Sequence, residues 1–383
     1  MKQKNYHPAM KRKLSNYFSD KKIVYIHKSG VGWGGAQQNI FDLIKNFRNE
    51  FGATIFICNH SLLLEKIEAL KVKIYKIPTA SLKLTPITLV ILAKILLKEK
   101  PDLIHSNHRF TTLLIHLLRT ILPLRYKILH TSRSVFTTKT MCRLFGDKII
   151  ANSKAVEKNL IQQFRIAPEK IEIIYDGIEL NMNSHILLNQ QNDPVFQLLD
   201  SCQKTIIGCI GSLVKAKGHH CLFQALAQLP PSIQDNILVL IVGEGPLRKK
   251  LESNVRELCV TDIVKFLGFR KDVHHILSYC NFTVIPSIQE GLPNVLLEGY
   301  LLGKPAIVSE LDYVHEVITP DKIGLTFPIM NIEKLAEAIQ QYVEKPKLVA
   351  RHGAKGKKIF KRRFSLKGNL ANYRQAYQDL LDS

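Results

Sequence analysis

The chain has no Cys-x-x-C pair, no Asp-x-Asp and no uninterrupted apolar run of the roughly 18 residues that cross a bilayer. Its longest apolar stretch, residues 86–97, contains Lys94 and cannot cross a membrane alone. The seven cysteines, an odd number scattered between Cys58 and Cys280, indicate neither a disulfide framework nor a zinc knuckle; a reducing cytoplasm fits them best. The basic start, MKQKNYHPAMKRKLSNYFSDKK, lacks the apolar centre of a secretory signal and reads as a solvated tail. Acid is in short supply: 32 Asp and Glu stand against 54 Lys and Arg, a net charge of +22. The shortage is uneven, because residues 1–180 hold 30 basic and 13 acidic residues while residues 181–383 hold 24 and 19. Such asymmetry implies an anionic partner for the first half: nucleic acid, an anionic membrane surface or a phosphorylated substrate.

What is present is the composition of a folded protein, 46% hydrophobic and 22% charged, and a length of 383 residues that predicts two domains. From Lys22 onward, short β-branched runs alternate with longer helical stretches, the pattern of parallel α/β architecture. Strands are expected at 22–27, 54–58, 73–77, 103–105, 127–130, 148–151 and 171–175. Ile40, Leu43, Ile44 and Phe47 recur at helical spacing and predict a helix packed on that sheet. The rhythm breaks over 181–204, rich in Asn and Gln, then restarts with strands at 205–211, 237–242, 263–267, 282–286 and 306–309 and helices at 222–229 and 247–258. The expected organisation is an N-terminal domain over 1–182, a linker region over 183–203, a C-terminal domain over 204–363 and a closing helix over 364–383. That helix, with Leu370, Tyr373 and Tyr377 on one side, is expected to pack back toward the N-terminal domain. Two Rossmann-like doubly wound sheets in tandem place the natural ligand site in a cleft between them, at the carboxyl ends of the strands.

The first strand runs into Gly30-Val31-Gly32-Trp33-Gly34-Gly35, which fits G-x-G-x-x-G before a helix. A dinucleotide site also wants an acid at the end of the second strand, and residues 54–60 offer none. Gly34 and Gly35 are therefore read as a loop bringing backbone N–H groups near a phosphate or sugar, or as a plain tight turn. In the second half, Gly211-Ser212 through Lys217-Gly218 follows a strand and opens a helix, setting a lysine where phosphates bind, and Gly243-Glu244-Gly245-Pro246 follows the next strand. The most specific block is Glu290-Gly291-Leu292-Pro293-Asn294, with Glu298 two turns into the helix that Pro293 starts. A loop carboxylate there can accept hydrogen bonds from sugar hydroxyls, the helix amides can hold a diphosphate, and the later Glu can bind a ribose diol. His219-His220 and His274-His275 lack metal-ligand spacing.

Taken together, G-x-x-x-x-x-K-G, G-E-G-P, the Glu-x7-Glu block and Gly303-Lys304-Pro305 resemble the retaining glycosyltransferases of family 4, which have the GT-B fold. The resemblance runs from Gly34-Gly35-Ala36 through Asp176-Gly177-Ile178-Glu179 to Glu316 and the closing helix. It implies that the C-terminal domain binds a nucleotide-sugar donor, with Lys217 on the diphosphate, Glu290 on the transferred sugar and Glu298 on the ribose, and that the N-terminal domain binds the acceptor. Gly243, Glu244, Gly291, Leu292, Pro293 and Asn294 would complete the donor site. Where the family commonly has Arg, this chain has Ser212, so Lys217 would work with helix dipoles or with Arg248 or Lys215. Where the family often has His in a T-x-H arrangement, Thr131-Ser132-Arg133 puts Arg133, with His130 three residues earlier; both stay candidates for the reacting centre.

The expectation is a cytoplasmic glycosyltransferase that moves a hexose-like sugar from a UDP- or GDP-sugar to a glycan or lipid-linked acceptor with retention, as in cell-envelope or lipopolysaccharide biosynthesis. With no Asp-x-Asp, no metal and no cofactor is expected. A nucleotide-sugar epimerase of similar form and a basic nucleic-acid-binding protein are the alternatives; the second has no reader module and few aromatics among its cations, so nucleic acid is not an expected partner. Residues 82–100 and 113–127 set apolar runs beside Lys83, Lys94, Lys98, Arg119, Arg125 and Lys127. Either they are ordinary sheet-covering helices or one of them lies on an anionic membrane, making the protein peripheral to the inner face of the cytoplasmic membrane.

Overall fold

The computed structural model describes residues 17–27, 35–58, 62–77, 85–135, 145–180, 193–312, 314–318 and 323–383. The glycine-rich loop at 30–34, with Gly34, and the side chain of Glu316 fall outside the described residues. The chain divides into two compact units, Met1–Gly177 with Leu366–Ser383, and Ile178–Ser365.

The first unit is built on seven parallel strands: β1 (Lys22–His27), β2 (Ala53–Cys58), β3 (Lys73–Lys76), β4 (Leu103–Ser106), β5 (Lys127–Ser132), β6 (Lys148–Ala151) and β7 (Ile171–Ile173), in the order β3-β2-β1-β4-β5-β6-β7. Helices α1 (Gly35–Phe47), α2 (Leu62–Glu68), α3 (Thr85–Glu99), α4 (Arg109–Ile121) and α5 (Lys154–Phe164) connect them. Period-two alternation sorts the strand side chains between two layers. Ile23, Tyr25, Phe56 and Cys58 face α1, α2 and the last helix of the chain. Val24, Ile26, Ile55 and Ile57 face α3 and α4. Ile40, Leu43, Ile44 and Phe47 of α1 are all fully buried, as their spacing predicts.

The second unit repeats the plan with six strands: β8 (Thr205–Ile210), β9 (Ile237–Val242), β10 (Val264–Gly268), β11 (Phe282–Ile285), β12 (Ala306–Ser309) and β13 (Leu325–Phe327), ordered β10-β9-β8-β11-β12-β13. Its helices are α6 (Pro194–Ser201), α7 (His219–Ala227), α8 (Pro231–Gln234), α9 (Arg248–Glu257), α10 (Val273–Tyr279), α11 (Asn294–Leu301), α12 (Val314–Val317), α13 (Ile332–Glu344) and α14 (Pro346–Arg363). The closing helix, α15 (Leu366–Asp382), belongs to the first unit, where Tyr373, Ala376, Tyr377 and Leu380 are buried in the core.

Two expectations change. Residues 193–201 are not linker: Asp193 caps α6 by accepting from the Val195 N–H at 2.9 Å, Pro194 occupies its first turn, and Phe196 and Leu199 are buried against β8 and β9. The three-residue strand β13 was not anticipated. Within segments 82–100 and 113–127 the described helices are α3 and α4, which cover the sheet, but their outer faces keep apolar side chains exposed: Ile87, Val90 and Leu97 on α3, Leu117 and Ile121 on α4.

Candidate active site

In an open parallel sheet the crevice for a ligand opens where the strand order reverses. In the second unit that reversal falls between β8 and its neighbour β11. Lys217 stands in the short turn Lys215–Lys217 after β8, Glu290 in the loop after β11, and Lys217 Nζ donates to the Glu290 carboxylate. Ser287 Oγ donates to the same carboxylate at 3.1 Å, and the Ser309 hydroxyl donates to the Ser287 carbonyl, so the loop is held from β12 as well. The two side chains remain about a fifth exposed, at 24% and 18%, accessible enough to exchange each other for a ligand.

Two glycines make the approach possible. Gly218 has φ +65°, and a Cβ there would fall 2.0 Å from the Pro286 carbonyl oxygen. Gly243, after β9, would put a Cβ 2.0 Å from the Gly211 carbonyl oxygen. The loops after β8 and β9 therefore lie against each other, and the Leu213 N–H donates to the Glu244 carbonyl at 3.0 Å. Pro293 is the N-cap of α11 and makes no side-chain cap; the Leu296 N–H turns back to the Pro293 carbonyl at 3.1 Å, and the positive end of the helix dipole is the kind of terminus that attracts anions. Glu298 lies on α11, 17% exposed, with its Oε1 3.7 Å from His274 Nε2.

The structure thus brings Lys217 and Glu290 together and sets Gly291, Leu292, Pro293 and Asn294 between Glu290 and the helix carrying Glu298. Ser212 is exposed between β8 and this turn. Arg248 is different from expectation as an available cation: its NH1 donates to Glu244 at 2.9 Å, its Nε donates to Glu252 at 2.5 Å, and its guanidinium covers the Phe266 ring at 4.8 Å. Two carboxylates already pair with it, as Glu290 pairs with Lys217.

His130, Arg133 and Gly35 belong to the first unit. Gly35 is the first residue of α1. His130 is fully buried in β5, its Nδ1 2.9 Å from Thr112 Oγ1 and its ring 5.4 Å from that of Phe145. Burial, with His108 and Arg109 nearby, pushes it down to about 3, so it is neutral. Arg133 follows β5 and donates to Asp176, whose other oxygen accepts from Asn152 Nδ2 at 3.1 Å. Sequence reading missed Asn152 and the Arg133–Asp176 pair, as well as Ser287 and His274. It also missed His27 at the end of β1, held neutral at about 4 by burial and then by His108 and Arg133. Asp176 stood inside a quoted motif and His274 was named only as lacking metal-ligand spacing; the partners of both are distant in sequence. Among the described residues no group of three or more His, Cys, Asp or Glu is placed to hold a metal ion.

Two parallel α/β units with helices on both faces of each sheet are the parts of the GT-B fold, and solved glycosyltransferases share it. The Anabaena protein HepE, in a structure with UDP-glucose, superposes with a TM-score of 0.80 at 21% identity over 94% of this chain and all of that one. The model for glycosyltransferase family 4 matches residues 33–182, and that for glycosyl transferases group 1 matches residues 192–359. The chain belongs to this glycosyltransferase family. A Campylobacter jejuni N-acetylgalactosaminyltransferase named for a diphospho-undecaprenol-linked acceptor is 28% identical over 53% of this chain and 52% of its own length. The Rhizobium meliloti lipopolysaccharide core biosynthesis glycosyltransferase LpsD is 34% identical over 45% of this chain and 48% of its own. The chain thus spans about half the length of these two relatives.

Proposed function

We propose that the protein transfers a sugar from a UDP- or GDP-sugar to a lipid-linked or lipopolysaccharide-type acceptor, with retention of configuration. The observation that carries this reading is the Lys217–Glu290 pair at the strand reversal, beside the side-chain-free N-terminus of α11. A bound donor would set its diphosphate against Lys217 and the α11 amides, releasing Glu290 to accept hydrogen bonds from the sugar hydroxyls. Glu298 would take the ribose diol. As the bond to the diphosphate lengthens, negative charge grows on the leaving oxygens, and preorganised cation and amides stabilise it most at that point. The acceptor hydroxyl then attacks the oxocarbenium-like carbon from the face the diphosphate leaves, passing its proton to the departing diphosphate oxygen, which gives retention. No metal is needed for this step in the proposal, because Lys217 and the helix supply the positive field.

The acceptor class is supported by the names of the two relatives, and UDP by the HepE structure. Work at the inner face of a membrane is supported by the exposed Ile87, Val90 and Leu97 beside exposed Lys94 and Lys98 on α3. No helix among the described residues is long and apolar enough to cross a membrane. The test is a thermal-shift panel of UDP-, GDP- and ADP-sugars followed by transfer to undecaprenyl-diphosphate-linked N-acetylglucosamine and to lipopolysaccharide core. A UDP- or GDP-sugar at about 100 times its Kd adds about 2.7 kcal/mol of apparent stability. Silence across the whole panel, with no transfer to either acceptor, would sink the reading.

A further inference from the structure

Helix α14 has eight Lys and Arg in 18 residues and no acid: Lys347, Arg351, Lys355, Lys357, Lys358, Lys361, Arg362 and Arg363. All eight are exposed, while Val349, His352, Gly353, Gly356 and Phe360 form the buried side. The inner packing is close: the Phe360 and Tyr300 rings stack at 4.4 Å, and a Cβ on Gly356 would fall 2.0 Å from Tyr300. The charge is therefore confined to one outer face. Along that face Lys347/Arg351, Arg351/Lys355, Lys357/Lys361 and Lys358/Arg362 are like charges four residues apart, which weakens a helix, and Lys347 sits at the helix end that disfavours cations. The helix carries no acid to offset this repulsion, and only its last turn, with Lys361, Arg362 and Arg363, sets cations at the end that the helix dipole favours; an external anion would relieve the rest.

An open cavity of about 610 Å³ adjoins the first turns of α14. Gln341, Lys345, Lys347 and Arg351 line it together with Leu325 and the buried His352, and among the described residues no carboxylate lines it. His352 is anchored by the Tyr342 hydroxyl, 2.8 Å from its Nδ1. Glu344, at the end of α13, accepts from Gln340 at 2.7 Å. Leu325 begins β13, so this cavity lies at the amino end of that strand, whereas Lys217 and Glu290 follow the carboxyl ends of theirs.

We propose that the outer face of α14 and this cavity dock an anionic phospholipid membrane, the cavity taking one phosphate-bearing headgroup. The inference rests on the lipid-linked acceptor proposed above and adds a membrane site in the second unit. The chemistry favours lipid over nucleic acid because no aromatic on the outer face can stack a base. It favours lipid over an acidic protein because the face has no aromatic anchor for an interface core.

The experiment is vesicle flotation of the full chain. The parent should bind phosphatidylcholine vesicles containing about a third phosphatidylglycerol, ignore pure phosphatidylcholine, and dissociate as salt rises. K347E/R351E and K358E/R362E should each weaken binding about tenfold or more, while K265E, an exposed cation on β10, stays within about twofold. Variants that float like the parent overturn the proposal. So does displacement of the parent by millimolar glycerol phosphate, which would mean a small-anion site, or tighter α14-dependent binding to duplex RNA. UDP-sugar thermal shifts are read on the same proteins. Donor stabilisation with unaltered flotation of the variants fails this inference alone, and flotation with no donor response fails the transfer reading alone.

Discussion

Lys217 and Glu290 pair with each other, and that sets the sign of what each substitution does. Lys217→Ala removes the cation that faces the leaving diphosphate; losing a charge-assisted contact worth roughly 1.5–3 kcal/mol lowers kcat by about one to two decades. Glu290→Gln keeps the shape and the hydrogen bond but removes the charge, so transfer should fall while donor stabilisation by thermal shift holds or rises. Wild-type turnover in both would remove them from the mechanism. Gly218→Ala tests the backbone under them: at φ +65°, 2.0 Å from the Pro286 carbonyl, a methyl group forces the β8 and β11 loops apart, and both donor binding and unfolding midpoint should drop. Purified enzyme should also keep its activity in EDTA; loss that Mg²⁺ or Mn²⁺ restores would replace Lys217 by a metal in the proposed step. Lys217 and Glu290 were legible because each sits in a short motif whose strand and helix neighbours are strongly patterned. Arg133 was not, since its partner Asp176 lies 43 positions away and only the β5–β6–β7 pairing joins them. The Arg248 bonds to Glu244 and Glu252 were within reach, because both acids are four residues away, but that pairing is visible only once the start of α9 is known.

At the scale of elements, the strands were read almost to the residue because buried parallel strands are continuous β-branched runs that few other structures need. Helix α6 was hidden by the polar residues before it, and β13 by a length of only three residues. Helix α15 shows how a remote segment completes a core. Tyr377 OH lies 2.8 Å from His105 Nδ1 and 3.3 Å from Tyr25 OH, while His105 Nε2 meets Thr131 Oγ1 at 2.8 Å, and Arg374 pairs with Glu50. Tyr377→Phe keeps the packing and leaves the His105 nitrogen without its partner, so the first unit should lose about 1–3 kcal/mol in urea unfolding. An unchanged midpoint would make the network incidental. On α3, Ile87→Asp with Val90→Asp should weaken vesicle binding without lowering stability, since both side chains are more than half exposed. On α4 the basic residue Arg119 is held by Asp147 at 2.6 Å and is not available to lipid.

At the scale of the whole molecule, dividing charge between sequence halves concealed its densest concentration. Helix α14 contributes eight of the 24 cations in a half whose 19 acids nearly cancel that total, although those acids lie on other elements. Titration is likewise governed by position rather than number. Burial holds six described histidines below their ordinary value of 6.5: His27 and His219 at about 4, His105 and His130 at about 3, and His116 and His220 lowered as well. The folded chain keeps them neutral while the unfolded chain protonates them, so between about pH 6.5 and 4 the unfolded state binds more protons. Stability is then fully present above pH 6.5 and is lost as pH falls, by roughly 1.4 kcal/mol per pH unit for each histidine once the unfolded chain is protonated. The four held at about 3 or 4 together cost roughly 5 kcal/mol per unit near pH 5, comparable with the whole stability of an ordinary domain, and acid unfolding should precede pH 4. Urea midpoints at pH 7.5, 6 and 5 measure this slope. His219→Gln, which removes one of these titrating groups from the second unit, should flatten the slope for that unit, and a midpoint independent of pH over that range would mean that the buried imidazoles gain protons as readily folded as unfolded.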